Sequence, residues 1–160
     1  MLNIQIICIG KIKESFFKMA IEEYSKRLSR YCKLEILELP DEKIPDKLNL
    51  SISNEIKDKE CSNIIINHFK KSSYKIALDL KGKQLTSEEF SKKIDNLSLS
   101  NSNLTFIIGG SLGLTQKLLD NCQESICFSK MTFPHQLIRV FLLEQLFRGF
   151  KISNNETYHR

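Results

Sequence analysis

The chain has 160 residues, of which 41% are hydrophobic and 27% charged, and its formal net charge is +5. This length fits one domain, or one with a modest insertion, and excludes a large multidomain protein, while the composition is ordinary for a soluble globular chain. The mild positive charge suits a partner rich in phosphate, although many proteins without such a partner carry as much.

The spacing of apolar residues predicts strands and helices that alternate along the chain. In chain order these are a strand over 3–9, a helix over 14–31, a strand over 34–39, a charged helix over about 51–69, a strand over 73–80, a helix from 86 to about 97, a strand over 104–108, a short helix over 116–121, a strand over 124–129 and a closing helix from about 134. Thr86-Ser87-Glu88-Glu89 is typical of a helix start, and Pro134 suits a first helical turn. This alternation indicates a mostly parallel sheet flanked by helices, in one α/β domain over residues 1–160.

The cysteines and the longest apolar stretch indicate in which cell compartment the protein is expected. Five cysteines are scattered without C-x-x-C spacing, which predicts small core residues and no metal site. The apolar stretch over 137–150 is interrupted by Arg139, Glu144 and Arg148, so it cannot span a bilayer. The apolar run at the N-terminus is too short for a secretory leader and no basic residue precedes it. We therefore expect a reduced, cytoplasmic protein without a membrane or metal partner.

Ligands of parallel sheets bind beyond the carboxyl ends of the strands. Three predicted loops lie there, after Leu80, Ile108 and Phe128. The second reads Gly109-Gly110-Ser111-Leu112-Gly113, and the third carries a mixture of polar and apolar residues over 128–133. Core packing alone does not explain that mixture.

The glycine loop allows several interpretations. It matches the G-x-S-x-G elbow of serine hydrolases, with Ser111 as nucleophile, Asp120 as the acid and His135 or His159 as the base. The chain is short for that fold, and no oxyanion segment precedes the elbow. A dinucleotide-binding turn would need a different glycine spacing. The glycines can also form only a tight turn, because glycine tolerates positive φ.

In a further interpretation, the two loops form the walls of one pocket. Gly109 and Gly110 would let a ligand approach the backbone closely, while Leu78, Phe128 and Met131 supply apolar faces. Backbone groups after Phe128 could then recognise the edge of an adenine.

Three segments carry a resemblance to a known family: FIIGGSLGL, FSKMTFPHQLIRVFLLEQLFRGFKI and the C-terminal Tyr158-His159-Arg160. They resemble the ribosomal RNA large subunit methyltransferase H family of the SPOUT class. The resemblance extends from IICIGKIKE and the ELPDEK turn to the last residue, with no reliable motif over about 44–73. It implies a C-terminal trefoil knot, S-adenosylmethionine as methyl donor, and methylation of N3 of a pseudouridine in 23S ribosomal RNA within the ribosome. It also implies a homodimer with the active site between subunits.

The resemblance assigns roles to individual residues. The donor-binding positions are Leu78, Gly109, Phe128, Ser129, Lys130, Met131, Thr132 and Phe133. In the tail, Tyr158 is a stacking surface, His159 a candidate base or substrate orienter, and Arg160 a phosphate or base contact. Ser129 and Thr132 can alternatively cap the next helix.

Two expectations concern the closing helix. It is apolar around more than half its circumference, so we expect a second subunit to cover part of it, full burial within one chain being the alternative. Arg139 joins five lysines near predicted loops as a candidate RNA contact, the lysines being Lys11, Lys13, Lys81, Lys83 and Lys130. A noncatalytic ribosome-binding module is the other function left open.

Overall fold

A computed structural model describes residues 1–160, in which strands and helices alternate from one end of the chain to the other. The elements are β1 (Leu2–Ile9), α1 (Ser15–Leu28), β2 (Cys32–Leu39), α2 (Leu50–Asn67), β3 (Tyr74–Gln84), α3 (Ser87–Ser100), β4 (Asn103–Ile108), α4 (Gln116–Asp120), β5 (Glu124–Cys127) and α5 (His135–Ser153). The five strands form one sheet in the order β2-β1-β4-β3-β5. Every neighbouring pair is parallel, which confirms the predicted fold class.

Alternate residues of the central strands enter two separate cores, because successive side chains of a strand point to opposite faces. On β1, Ile4 and Ile6 belong to the larger core, which also contains residues of α1, α3 and α5. Ile7 and Ile9 belong to the smaller core, beneath α2 and α4. Burial on both faces explains why β1 and β4 read as nearly continuous apolar runs.

Strand β3 is longer than predicted, and this changes the shape of the sheet edge. The prediction of a loop after Leu80 is wrong, since the strand continues to Gln84. Beyond a register shift between Leu78 and Lys83, the strand pairs again with β5. Gly82 permits this, because a Cβ there would lie 2.6 Å from the carbonyl carbon of Ile126. The close approach of two backbones is invisible in a pattern of apolar residues.

The predicted start of α3 is confirmed in detail. Thr86 Oγ1 accepts from the Glu89 N–H at 3.1 Å, and Glu89 Oε2 accepts from the Thr86 N–H at 2.8 Å. This reciprocal capping box fixes the amino end of α3.

The cysteines are all free, and most are buried in the cores as expected. Burial raises the pKa of the Cys8 and Cys32 thiols to about 12, which keeps both protonated. None of the helices combines the length and the apolar character needed to cross a bilayer. The trefoil knot expected from the resemblance stays a prediction.

Candidate functional site

A cavity of about 710 Å³ opens at the carboxyl ends of β4 and β5, beside Leu78–Leu80 in the middle of β3. Its volume lies in the range of about 300–1,000 Å³ that is usual for sites of small molecules and cofactors. Seven of the eight predicted donor-binding residues line it, namely Leu78, Gly109, Phe128, Ser129, Met131, Thr132 and Phe133. Lys130, the eighth, is exposed and does not line the cavity. The structure therefore brings together two loops that lie about 20 residues apart in the sequence.

The glycine loop forms one wall and folds back on itself. Gly110 and Gly113 form an isolated antiparallel bridge, in which the Gly113 N–H donates to the Gly110 carbonyl at 3.1 Å. Gly113 has φ of +81°, and a Cβ on Gly109 would lie 3.0 Å from the Gly113 carbonyl group. The tight-turn interpretation is thus correct for these two positions, and the same turn presents backbone to the cavity.

The geometry does not support the two other interpretations of the glycine loop. Asp120 accepts from Gln116 at 2.8 Å, His159 pairs with Glu88, and no hydrogen bond joins Ser111 to a histidine. Ser111 therefore lacks the adjacent base that a serine nucleophile requires. Helix α4 begins only at Gln116 and has five residues, so the turn does not open directly into a helix as dinucleotide-binding turns do.

The segment 128–133 forms the opposite wall and is held by its own short-range bonds. Ser129 Oγ accepts from the Met131 N–H at 3.0 Å, and Cys127 Sγ donates to the Ser129 carbonyl at 2.8 Å. Helix α5 has Pro134 as its N-cap and no side-chain capping bond. The capping role considered for Ser129 and Thr132 is therefore wrong. Both side chains line the cavity instead.

His135 lines the cavity where α5 begins and packs against the end of β1. Gly10 has φ of +94°, and a Cβ on it would lie 3.1 Å from His135 Cε1. The His135 Nδ1 is buried and has no hydrogen-bond partner. Burial, and then the charge of Arg139, lower the pKa of His135, so the ring is neutral at neutral pH. A buried polar atom without a partner is rare in proteins and fits a site that a polar ligand completes.

Arg139 is buried, so its assignment to an RNA-contacting surface is wrong. Only 2% of its surface is exposed. Its Nη1 donates to Glu38 Oε2 at 2.7 Å, and its Nη2 donates to the carbonyls of Ile9 and Gly10 at 3.3 and 2.5 Å. Arg139 thereby ties α5 to the carboxyl ends of β1 and β2. The sequence does not predict these contacts of Arg139, because no residue near it in the sequence indicates a partner about 100 residues away.

The ELPDEK turn supports the same region from behind. Besides the bond from Glu38 to Arg139, the Glu42 N–H donates to Glu60 Oε2 at 3.1 Å. Glu60 is buried, with both carboxylate oxygens 3.7 Å from the position of a Cβ on Gly110. Burial raises the pKa of Glu60. The turn thus links α2, α5 and the glycine loop, which explains why it belongs with the site motifs.

The tail lies on α5 and α3 of its own chain, outside the cavity. Tyr158 packs edge-on against Phe147, with ring centroids 5.0 Å apart, and its hydroxyl donates to Glu144 Oε1 at 3.1 Å. The Arg148 guanidinium lies 4.7 Å from the centre of the Tyr158 ring. Arg160 is exposed. Within one chain, the structure therefore does not join the three tail residues to the donor-binding residues.

Both ring nitrogens of His159 are engaged. Nε2 lies 2.7 Å from Glu88 Oε1, and Nδ1 lies 3.2 Å from Nη1 of Arg148. Arginine only donates, so Nδ1 accepts from Arg148 and the Nε2–H donates to Glu88, a tautomer assigned from these partners. This pairing lowers the pKa of Glu88. Arg148 is itself held by Glu144, one helical turn earlier, at 2.7 Å.

The outer side of α5 borders a second cavity of about 490 Å³. Phe141 and Glu144 line it together with residues of α3, and it shares Phe128, Ser129 and Phe133 with the first cavity. The inner side of α5 is fully buried, whereas Leu137, Val140 and Phe141 on its outer side are only partly buried. One chain thus leaves part of this helix uncovered, and the second subunit stays a prediction.

Comparisons with known proteins match this chain along nearly its whole length. A family model described as "Predicted SPOUT methyltransferase" matches residues 2–159. "Ribosomal RNA large subunit methyltransferase H 1" of Clostridium perfringens (strain SM101 / Type A) is 56% identical over 160 residues, covering 99% of this chain and 100% of the relative. "Ribosomal RNA large subunit methyltransferase H" of Clostridium botulinum (strain Eklund 17B / Type B) is 59% identical with the same coverage.

A solved structure also shares the fold. It is described as a probable methylase family protein from Haemophilus influenzae Rd KW20, with a TM-score of 0.58 and 14% identity, over 99% of this chain and 71% of that one. With a family match over residues 2–159 and full-length relatives that are 56% and 59% identical, the chain belongs to the SPOUT methyltransferase family.

Proposed function

We propose that this protein methylates N3 of a pseudouridine in 23S ribosomal RNA, with S-adenosylmethionine as the methyl donor. The observation that carries the proposal is the cavity at the carboxyl ends of β4 and β5, because both of its walls come from the motifs of the resemblance. The printed names of the relatives support the large ribosomal RNA as substrate. When bound, the donor supplies an electrophilic methyl group.

The residues of the cavity fit a nucleoside that carries a charged amino acid chain. Leu78, Phe128 and Phe133 offer apolar surface for a flat base, while Ser129 and Thr132 add hydroxyls. The glycine loop exposes backbone that side chains would otherwise cover. The buried His135 Nδ1 offers one further polar atom without a partner. We assign donor binding to these two walls, with Lys130 as part of the second loop.

On the acceptor side, N3 of the base carries a proton that must leave as the nitrogen attacks. We propose that Tyr158, His159 and Arg160 position the nucleotide. Because Glu88 and Arg148 engage both nitrogens of His159, its contacts favour an orienting role over that of a base while the tail lies on its own chain. Arg160, exposed at the end of the chain, supplies donors for a phosphate.

The same geometry supports a homodimer. The tail lies outside its own donor cavity, and the outer face of α5 is only half-buried beside the second cavity. A partner packed on this face would bring its tail towards the cavity of the first subunit. We propose that a complete site requires both chains, and that the C-terminal segment carries the trefoil knot.

We further propose that the enzyme acts on the assembled ribosome in the cytoplasm. Residues 1–160 form one five-stranded sheet with its helices, and a surface of this size would recognise the shape of a particle more readily than an extended sequence. Equal methylation of a short naked hairpin and of whole ribosomes would contradict this.

The test is transfer of labelled methyl from S-adenosylmethionine to ribosomes, followed by mapping of the modified nucleoside. We expect one labelled pseudouridine in 23S RNA. Calorimetry with the donor separates this from the noncatalytic binding module, which need not bind the donor. Ribosome binding without donor binding or labelling would favour that module and refute the enzyme.

A further inference from the structure

The start of α1 and the loop before it carry exposed aromatic and basic side chains that the site described above does not use. Phe16 is 63% exposed and Met19 68% exposed, and the Phe16 and Phe17 rings lie 4.5 Å apart. We call this the lysine–phenylalanine surface, made of Lys11, Lys13, Phe16, Lys18 and Met19. All five side chains are exposed, so packing of the chain does not account for them.

The rest of α1 shows that this exposure is specific to one side of the helix. Ile21, Tyr24 and Leu28 pack into the larger core, whereas Phe16 and Met19 do not. Lys11, Lys13 and Lys18 take part in no salt bridge, since the basic partners in the ion pairs of the chain are Arg27, Lys59, Lys93, Arg139, Arg148, Lys151 and His159. Residues 11–19 contain these three cations and one acid, Glu14. Two acids of the neighbouring segment also lie beside this loop, Glu38, which is paired with Arg139, and Asp41 next to Gly10. The surface is therefore aromatic and positively charged.

The surface is fixed at the edge of the donor cavity. Gly10, which precedes Lys11, packs against His135, a residue of the cavity wall. Arg139 donates to the Gly10 carbonyl, and the Ile12 N–H donates to Glu38 Oε2 at 2.8 Å. The backbone is thus held by α5 before Lys11 and by β2 after it, before any substrate binds, so ordering this loop adds little to the entropic cost of binding.

We propose that the lysine–phenylalanine surface binds an unpaired segment of the RNA substrate beside the target nucleotide. A base stacks on Phe16, and the three lysines contact phosphates. Aromatic rings next to cations are the general means by which proteins hold single strands, since every base has a π-face and every nucleotide a charge. The inference rests on the proposed function for the identity of the RNA.

A second copy of the chain fits this surface less well. In a symmetric dimer both subunits use the same surface, so lysines of this patch that lie near the two-fold axis would approach their own copies. Like charges brought together in this way repel, whereas RNA supplies the opposite charge along its whole length. Charge complementarity and the position next to the cavity therefore favour RNA.

The test compares Phe16→Ala and a triple Lys11→Gln, Lys13→Gln, Lys18→Gln variant with the unaltered protein. For Phe16→Ala we expect KM for ribosomes to rise about tenfold with kcat unchanged, because stacking on one aromatic ring is lost. For the triple variant, the slope of log affinity for ribosomes against log salt should fall by about 2, at about 0.7 for each phosphate contact. Affinity for S-adenosylmethionine, measured by calorimetry, should not change in either variant.

Matched controls come from surfaces far from the cavity. Ile66→Ala removes an apolar side chain of α2 that is 77% exposed, somewhat more than Phe16. Lys33→Gln with Lys70→Gln and Lys71→Gln removes three exposed charges near the amino end of the sheet. Both controls should retain the KM and the salt slope. Equal effects in controls and test variants would overturn the proposal, as would unchanged binding in the test variants.

Two further results separate the possible failures. Dissociation of a dimer by Phe16→Ala, seen in sedimentation, would assign the surface to a subunit contact and overturn the RNA proposal. If the unaltered protein labels no ribosomal RNA, the proposed function fails. The proposed surface is then tested by ribosome binding alone. If the slope of log affinity against log salt is the same in the triple lysine variant as in the unaltered protein, the RNA proposal is overturned.

Discussion

Gly82 is the position at which one methyl group should do the most damage to the cavity. In Gly82→Ala, the new Cβ would lie 2.6, 2.7 and 2.8 Å from the carbonyl carbon, nitrogen and Cα of Ile126. These are backbone atoms of β5, so the clash cannot be relieved by rotating a side chain. Either β3 separates from β5 beyond the register shift or both strands move, and the wall formed by Ile126, Cys127 and Phe128 moves with them.

Overpacking of this kind costs about 2–3 kcal/mol, the upper part of the usual range, because backbone must move. For a chain of this length, that lowers the melting temperature by about 4–12 °C. The assay is thermal and urea unfolding, with calorimetry of S-adenosylmethionine on the folded variant. We expect both lower stability and weaker donor binding.

Gly149→Ala is the matched control. Its Cβ would meet Ser91 at 3.5 Å, an ordinary contact, and the residue lies inside α5. Removing a glycine from a helix interior should stabilise the protein by about 0.5–1 kcal/mol. A Gly82→Ala protein that unfolds and binds the donor like the unaltered protein would refute the close contact of β3 with β5.

Three other predictions follow from the site. Arg139→Leu should lower the free energy of unfolding by about 2–4 kcal/mol, because it leaves Glu38 and two carbonyls without their buried donor. The control Lys33→Leu, on the surface, should change the free energy of unfolding little. Equal urea midpoints for the two variants would contradict the role of Arg139 in holding α5 to β1 and β2. The folded protein holds His135 with a pKa below its ordinary 6.5, so its neutral form stabilises the fold above that pH and the stability is lost as the pH falls below it. His135→Gln should flatten that part of the stability–pH curve, and an unchanged curve would refute the assignment. Removal of residues 158–160 should abolish methyl transfer while leaving donor affinity intact, because the tail lies outside the cavity; lost donor binding in calorimetry would place the tail within the donor site.

The strands and helices could be predicted because their apolar spacing reflects burial. The apolar residues Ile4, Ile6 and Ile7 are close together in one strand, which predicts a strand buried on both faces. Thr86 and Glu89 have the spacing of a capping box, which predicts a helix start from local hydrogen bonds. The extension of β3 past Leu80 could not be predicted, because it depends on the distance between two backbones at Gly82. A glycine in an exposed charged run reads as a turn unless its neighbour in space is known.

The candidate site divides in the same way. The segment 128–133 is recognisable in the sequence by its mixture of polar and apolar residues, and the structure brings it against Gly109 in one cavity. Arg139 was misassigned because its partners, Glu38 and the Gly10 carbonyl, are distant in the chain. The charge of Arg139 by itself predicts an exposed side chain, and only the fold shows that an acid and two carbonyls surround the guanidinium. The engagement of both nitrogens of His159 is likewise a property of tertiary contacts.

The central claim is that the donor binds between the glycine loop and the segment 128–133. Its most direct test is a crystal structure of the protein grown with S-adenosylmethionine. The account predicts the adenine against Phe128 and Leu78, and the donor in contact with backbone of Gly109. Density for the donor at any other place, or both loops empty at saturating donor, would contradict it.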